Sequence, residues 1–88
     1  MGNRIGLILI SYDINSLHNE VKEKMEILGY FDNWKLGAGP LHQMPNTTLW
    51  HKSKSSDAAI RDIQNVCNQM GVTLGKGVAV LADDFAGA

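Results

Sequence analysis

Cysteine is nearly absent from this sequence, and its scarcity indicates the kind of cellular compartment in which the chain works. Cys67 is the single cysteine among 88 residues, so no disulfide can form within the chain. Disulfides are typical of oxidising compartments, whereas an unpaired thiol is ordinary in a reducing one. We therefore expect a cytoplasmic protein.

Long apolar runs and an excess of basic charge are missing as well. No segment approaches the ~20 apolar residues that a membrane-spanning helix needs, and the apolar run 5–10 is too short for the core of a signal peptide. Eight Lys and Arg residues against nine Asp and Glu residues leave a net charge of −1. The overall field therefore does not attract nucleic acid. We expect no membrane partner, and any nucleic-acid contact requires a local patch or one formed by dimerisation.

The composition that remains is that of a small folded protein. Hydrophobic residues make up 44% of the chain and charged residues 19%, which excludes disorder caused by low hydrophobicity. We expect one domain over residues 1–88. Its pattern predicts strands at 5–12, 30–36, 47–52 and 77–82, a loop at 37–46, and helices in "INSLHNEVKEKMEILG" and "SKSSDAAIRDIQNVCNQMG".

Polar residues and glycines at the ends of the apolar stripes predict where these helices start and stop. Gly29 and Gly71 follow the last apolar positions, where glycine commonly ends a helix in a left-handed conformation. The expected N-caps are Asn15 or Ser16 for the first helix and Ser55 or Ser56 for the second.

This order of elements favours an α+β fold of the ferredoxin-like βαββαβ plan, with a four-stranded antiparallel sheet and both helices on one face. The first and last strands are apolar on both of their alternating faces, as Leu9 beside Ile10 and Val80 beside Leu81 illustrate. The face without helices therefore needs a cover, and a second copy of the chain is the simplest one. We expect a homodimer packed sheet to sheet or joined by edge strands.

Three segments also resemble a known family. "LILISYDIN", "NTTLWHKSKSSDAAIRDI" and "GVAVLADDFAG" resemble the SinR-like small bacterial proteins, a likeness that covers most of the chain outside residues 37–46. The aliphatic strand that ends in Tyr12, Asp13 and Ile14 is more distantly similar to the CRISPR-associated Cas-two family and its toxin relative VapD. This resemblance implies a ferredoxin-like homodimer in which Asp13 of each subunit lies near the dimer axis as a metal-binding catalytic residue of a nuclease. Cas-two proteins follow this strand with a basic segment, and here "NSLHNEVK" contains no Arg.

Asp13 can be interpreted in three ways from its chemistry. A nuclease dependent on Mg²⁺ or Mn²⁺ needs two or more carboxylates, so Asp13 requires its symmetry mate. Asp83 and Asp84 cannot help within one copy, because an antiparallel last strand places them roughly 26 Å away at ~3.3 Å per residue. Alternatively, Asp13 pairs with Lys76 or caps the following turn, or contacts some other ligand. Its expected neighbours are Asn46, Thr47, Gly75 and Lys76.

Two functional classes follow from these observations. A nucleic-acid protein needs several basic residues on one surface, and the candidate contacts are Lys52, Lys54 and Lys76. A non-catalytic interaction module of unassigned function would instead meet a protein partner through the loop 37–46 and the tail 83–88. Trp34 and Trp50 lack the basic-aromatic signature of an RNA-recognition sheet, so we expect them in the core or at the dimer interface.

Overall fold

The computed structural model of the chain describes residues 2–35, 41–43 and 47–82. These residues form five strands and two helices. In chain order the elements are β1 (Gly6–Ile14), α1 (His18–Ile27), β2 (Asn33–Lys35), β3 (Leu41–Gln43), β4 (Thr48–Lys54), α2 (Ser56–Met70) and β5 (Leu74–Leu81).

β1 is the central strand of a three-stranded antiparallel sheet with the order β4-β1-β5. The two apolar faces of β1 predict this central position, with a paired strand on each side. Alternate β1 residues are buried, as expected for a strand with helices on one side. These buried residues are Ile8, Ile10, Tyr12 and Ile14.

Both helices bury their apolar stripes against this same set of β1 residues, in one continuous core. In α1 the inward residues are Val21 and Met25, whereas Leu17 and Leu28 are 44% and 43% exposed. In α2, Ile60 and Met70 pack against the core as partly buried residues. Its fully inward residues are Ala59, Ile63, Val66 and Cys67.

The predicted cap of α2 is confirmed. Ser55 precedes the helix and its hydroxyl accepts a hydrogen bond from the backbone N–H of Ala58, at 3.2 Å. Gly71 ends the helix in a left-handed conformation, with φ at 68°. The capping chemistry of this helix was therefore readable from sequence.

The prediction for the start of α1 is wrong. Leu17 occupies the N-cap position, in a left-handed conformation with φ at 56°, and no side chain caps the helix. Asn15, a predicted cap, instead accepts a hydrogen bond from the backbone N–H of Thr73 at 3.0 Å. The Asn15 side chain is hydrogen-bonded to the segment that precedes β5, so it does not cap α1.

Over the described residues the sheet has three strands, where the sequence predicted four. Phe31 alone extends it, by forming reciprocal backbone hydrogen bonds with Trp50 of 2.8 and 3.0 Å. The chain then bends at Asp32, whose carboxylate lies 3.4 Å from Nζ of Lys22 on α1. β2 consequently pairs with β3 in a separate antiparallel ribbon, and β3 lies inside the segment predicted to be a loop.

The last strand begins earlier than the predicted residue 77. β5 starts at Leu74, and its pairing with β1 changes register between Asp13 and Ile14, since Asp13 lies opposite Lys76 and Ile14 opposite Leu74. Gly75 is therefore the extra residue of a β-bulge.

No helix within the described ranges is long and apolar enough to cross a membrane. Several predictions concern other parts of the chain. Asn46, most of the loop 37–46 and the tail 83–88, including Asp83 and Asp84, lie outside the described residues.

Candidate functional site

The sheet face opposite the helices, here called the open face, carries the features of a binding surface. Val78 and Val80 of β5 are 59% and 50% exposed on this face. Leu9 of the central strand β1 lies beside Val80 on the same face. Such apolar side chains on a sheet are normally covered. In the part of the chain that the structure describes, no element covers this face. Its other residues include Leu7, Ser11 and Asp13 of β1, Thr48, Trp50 and Lys52 of β4, and Lys76 of β5.

An aromatic pair borders the open face on the β4 side. The rings of Phe31 and Trp50 are stacked, with centroids 4.7 Å apart and planes inclined by 29°. Nζ of Lys52 lies 5.5 Å from the centre of the Phe31 ring, within cation–π range. The sequence predicted that Trp50 lies in the core or at a dimer interface. Trp50 is partly buried on the open face, a position that is compatible with both. The side chain of Trp34 lies outside the described part of the structure.

Asp13 lies at the other end of this face, near the end of β1. It is exposed and lies directly opposite Lys76 in the strand register. The β-bulge brings Gly75 against it, so that a Cβ added to Gly75 would lie 3.3 Å from Oδ2 of Asp13. The predicted neighbours Thr47, Gly75 and Lys76 are therefore found near Asp13, as expected for an antiparallel sheet.

An open depression of about 620 Å³ surrounds this end of the face. Asp13, Lys76, Ser11 and Thr47 contribute its polar lining, and Val78 contributes an apolar wall. At its edge, the hydroxyl of Thr48 donates to the hydroxyl of Ser11 at 3.4 Å. The depression combines one acid, one base and hydroxyl groups, which suits a polar or charged contact.

The described residues of one copy do not supply the usual ligand set of Mg²⁺ or Mn²⁺. These ions prefer several oxygen ligands, with carboxylates foremost. Among residues 2–35, 41–43 and 47–82, Asp13 is the only carboxylate in the lining, and no three His, Cys, Asp or Glu side chains are grouped to hold a metal. A metal centre here would need Asp13 from a second copy.

The three lysines proposed as nucleic-acid contacts do not share one surface. Lys54 projects to the helix side of the sheet, where its ammonium forms an ion pair with Asp62 of α2. Lys52 and Lys76 are on the open face but at opposite ends of it, on β4 and β5, on the order of 20 Å apart along the strands. These three lysines therefore do not form the continuous basic patch that a nucleic-acid groove requires.

Lys54 belongs to a structural network. The hydroxyl of Tyr30 donates to Oδ2 of Asp62 at 2.8 Å, and Nζ of Lys54 lies 5.4 Å from the centre of the Tyr30 ring. Burial of Tyr30 and its bond to the Asp62 carboxylate both raise the pKa of the phenol. The three side chains join β4, α2 and the segment after α1.

Tyr12 and Cys67 are neighbouring buried groups on the helix side of the sheet. The hydroxyl of Tyr12 is buried and has no hydrogen-bond partner among the described residues. Burial raises the pKa of Tyr12 to about 12, with smaller contributions from Cys67 and Glu26. Burial also raises the pKa of the Cys67 thiol, which keeps it protonated and unreactive.

His51 is held by hydrogen bonds at both ring nitrogens. Nδ1 accepts from the backbone N–H of Ser53 at 3.0 Å, so Nε2 carries the proton and donates to the carbonyl of Leu28 at 3.2 Å. The ring also meets Tyr30 edge to face, with centroids 5.0 Å apart. His51 therefore links β4 to the end of α1, as a packed residue.

Comparison with known proteins adds nothing to this geometry: no family model, curated protein or solved structure matches the sequence. Residue patterns identified Asp13 and its neighbours but missed Phe31 and Ser11 as components of the open face. Phe31 follows Tyr30 directly in "YFDNW", and the alternation of a strand, which places these two on opposite faces, was the available signal.

Proposed function

We propose that this chain is a non-catalytic interaction module that acts as a homodimer through its open face. The observation that carries the proposal is the exposure of Val78 and Val80 on a sheet face that no described element covers. Burying apolar area of this kind is the main favourable contribution to stable association. The scattered placement of Lys52, Lys54 and Lys76 favours this class over nucleic-acid binding.

The proposed architecture is ferredoxin-like. In that plan the first strand lies between the third and the last, both helices cover one face, and the second strand adds to the edge next to the third. The order β4-β1-β5 is compatible with three of those strands, and the isolated pairing of Phe31 with Trp50 lies on the edge of β4 where the plan puts the second strand. On this basis, and on the likeness of "LILISYDIN", "NTTLWHKSKSSDAAIRDI" and "GVAVLADDFAG", we propose kinship with the SinR-like proteins. The lone Cys67 supports a cytoplasmic location as part of the same proposal.

The self-association proposal is tested by measuring mass in solution with sedimentation velocity over a range of concentrations. We expect the wild-type chain to form a dimer and Val80→Lys to be a monomer, because a lysine at this position places an unpaired charge inside the interface. Ile27→Lys is the matched control: Ile27 is 78% exposed on α1, away from the open face. A monomeric wild-type protein, or equal effects of the two substitutions, contradicts the proposal.

A metal-dependent nuclease is the second candidate, favoured by one observation. Asp13 is exposed on the same face as the apolar residues, so a face-to-face dimer brings two copies of the carboxylate into one interface. Titration calorimetry with Mg²⁺ and Mn²⁺ distinguishes the two candidates. One ion per dimer, lost in Asp13→Asn while the dimer persists, supports the nuclease; no binding by a stable dimer supports the interaction module.

A further inference from the structure

On the open face, the side chains of β1 and β5 form a strip whose two ends differ in polarity. Cross-strand neighbours on this strip are Leu9 with Val80, Ser11 with Val78, and Asp13 with Lys76. The strip is thus apolar at one end, and at the other end it carries an acid on β1 and a base on β5. Among the described residues, ion pairs join Lys22 to Asp32 and Lys54 to Asp62, but no ion pair joins Asp13 to Lys76.

This arrangement is complementary to itself under one particular rotation. An axis that runs between β1 and β5, parallel to both strands and just above the face, places each β1 residue over its β5 neighbour in a second copy. Leu9 then faces Val80, and Asp13 faces Lys76, in both directions across the interface. Packed sheets lie about 10 Å apart, a gap that a lysine and an aspartate side chain span together.

Other rotations lose this match. An axis through the Asp13 end brings the two Asp13 carboxylates together, which is repulsive without a cation between them. An axis perpendicular to the strands at the level of Ser11 places Asp13 over the apolar end of the strip, where a buried unpaired charge is costly. Charge complementarity therefore selects the axis parallel to the strands.

We propose that the open face binds a second copy of this chain in a single register, set by reciprocal ion pairs between Asp13 of each copy and Lys76 of the other. The inference rests on the homodimer proposed above and adds its geometry and the role of both residues. Asp13 is then a residue that specifies the partner, and the depression around it is filled by the second copy.

Charge reversal provides the test. In Asp13→Lys all four charges at the interface are positive, and in Lys76→Asp all four are negative, so we expect each variant to dimerise roughly tenfold more weakly than the wild type. Mixing the two variants restores both ion pairs across the interface. We expect native mass spectrometry of the mixture to show heterodimer far above the statistical share, and the double variant Asp13→Lys with Lys76→Asp to dimerise like the wild type.

A statistical mixture of homodimers and heterodimers from the two variants overturns the inference, while a wild-type dimer leaves the proposed function standing. A monomeric wild type instead rejects both. If a charge-reversed variant fails to fold by circular dichroism, the neutral variant Asp13→Asn with Lys76→Gln replaces it. Its dimerisation constant should then be insensitive to added NaCl, whereas that of the wild type weakens with salt; equal salt dependence of the two also overturns the inference.

Discussion

His51 occupies the space that a side chain on Gly29 would need. A Cβ on Gly29 would lie 2.8 Å from Nε2 of His51, and the backbone at Gly29 has φ at +99°. The imidazole cannot move aside without breaking its bonds to Leu28 and Ser53. Glycine at this position is therefore required by the junction between α1 and β4 as well as by the end of the helix.

Substitution of the two helix-ending glycines should separate these contributions. Gly71 has φ at +68°, and a Cβ there meets no atom within 4 Å. We expect Gly71→Ala to lower the free energy of unfolding by about 1 kcal/mol from backbone strain alone. Gly29→Ala should lower it by about 3 kcal/mol, because the clash with His51 is added. Urea unfolding measures both; equal losses would show that His51 yields freely.

Removing the hydroxyl groups of two buried tyrosines should have different effects on stability. The hydroxyl of Tyr12 has no partner among the described residues, so Tyr12→Phe should leave the free energy of unfolding unchanged or raise it by up to about 1 kcal/mol. Tyr30→Phe breaks the bond to Asp62 and should lower it by about 1 to 2 kcal/mol. Thermal unfolding of both variants tests this contrast, and a clear loss in Tyr12→Phe would reveal a partner for that hydroxyl.

Stability should fall at alkaline pH partly through Tyr12. Folding raises the pKa of this phenol from its ordinary 10.0 to about 12, so the unfolded chain releases the proton first as the pH rises. The stability that Tyr12 contributes is therefore complete below pH 10 and is lost between pH 10 and 12, with a slope of up to about 1.4 kcal/mol per pH unit. Urea unfolding between pH 8 and 11 should show a shallower decline for Tyr12→Phe; parallel curves would exclude this contribution.

The two lysines of β4, Lys52 and Lys54, should differ in their effect on stability. Lys54→Met removes the partly buried ion pair with Asp62, and we expect a loss of about 1 kcal/mol. Lys52→Met removes only an exposed contact over the Phe31 ring, so the loss should be below about 0.5 kcal/mol. Melting temperatures at low and high salt provide the comparison. A larger loss at Lys52 would contradict the assignment of Lys54 to the structural network.

The central strand and the surroundings of Asp13 were predictable because they depend on patterns that the sequence states directly. β1 is apolar at successive positions, which indicates pairing on both sides, and an antiparallel last strand necessarily brings Gly75 and Lys76 to Asp13. The Ser55 cap and Gly71 are equally local signals. In these places local preference and tertiary structure agree.

The parts that were missed depend on competition between distant groups. Asn15 has the chemistry of an N-cap, but the backbone of Thr73, which is far away in sequence, takes its side chain. Similarly, among the described residues Phe31 alone pairs with the outer edge of β4, at Trp50, because Asn33–Lys35 pair with Leu41–Gln43. The residue pattern of a single segment does not indicate with which of two possible strands it will pair.

The pairing of β1 also determines the order in which the chain can assemble. β1 precedes both of its partners in the sequence, and it joins β4 and β5 across two helices and a ribbon. The sheet therefore cannot close until residues as late as Leu81 are available, and folding should be slow for a chain of this length. Until then the apolar edges of β1 are unpaired, so the incomplete chain exposes strand edges that can pair with other chains.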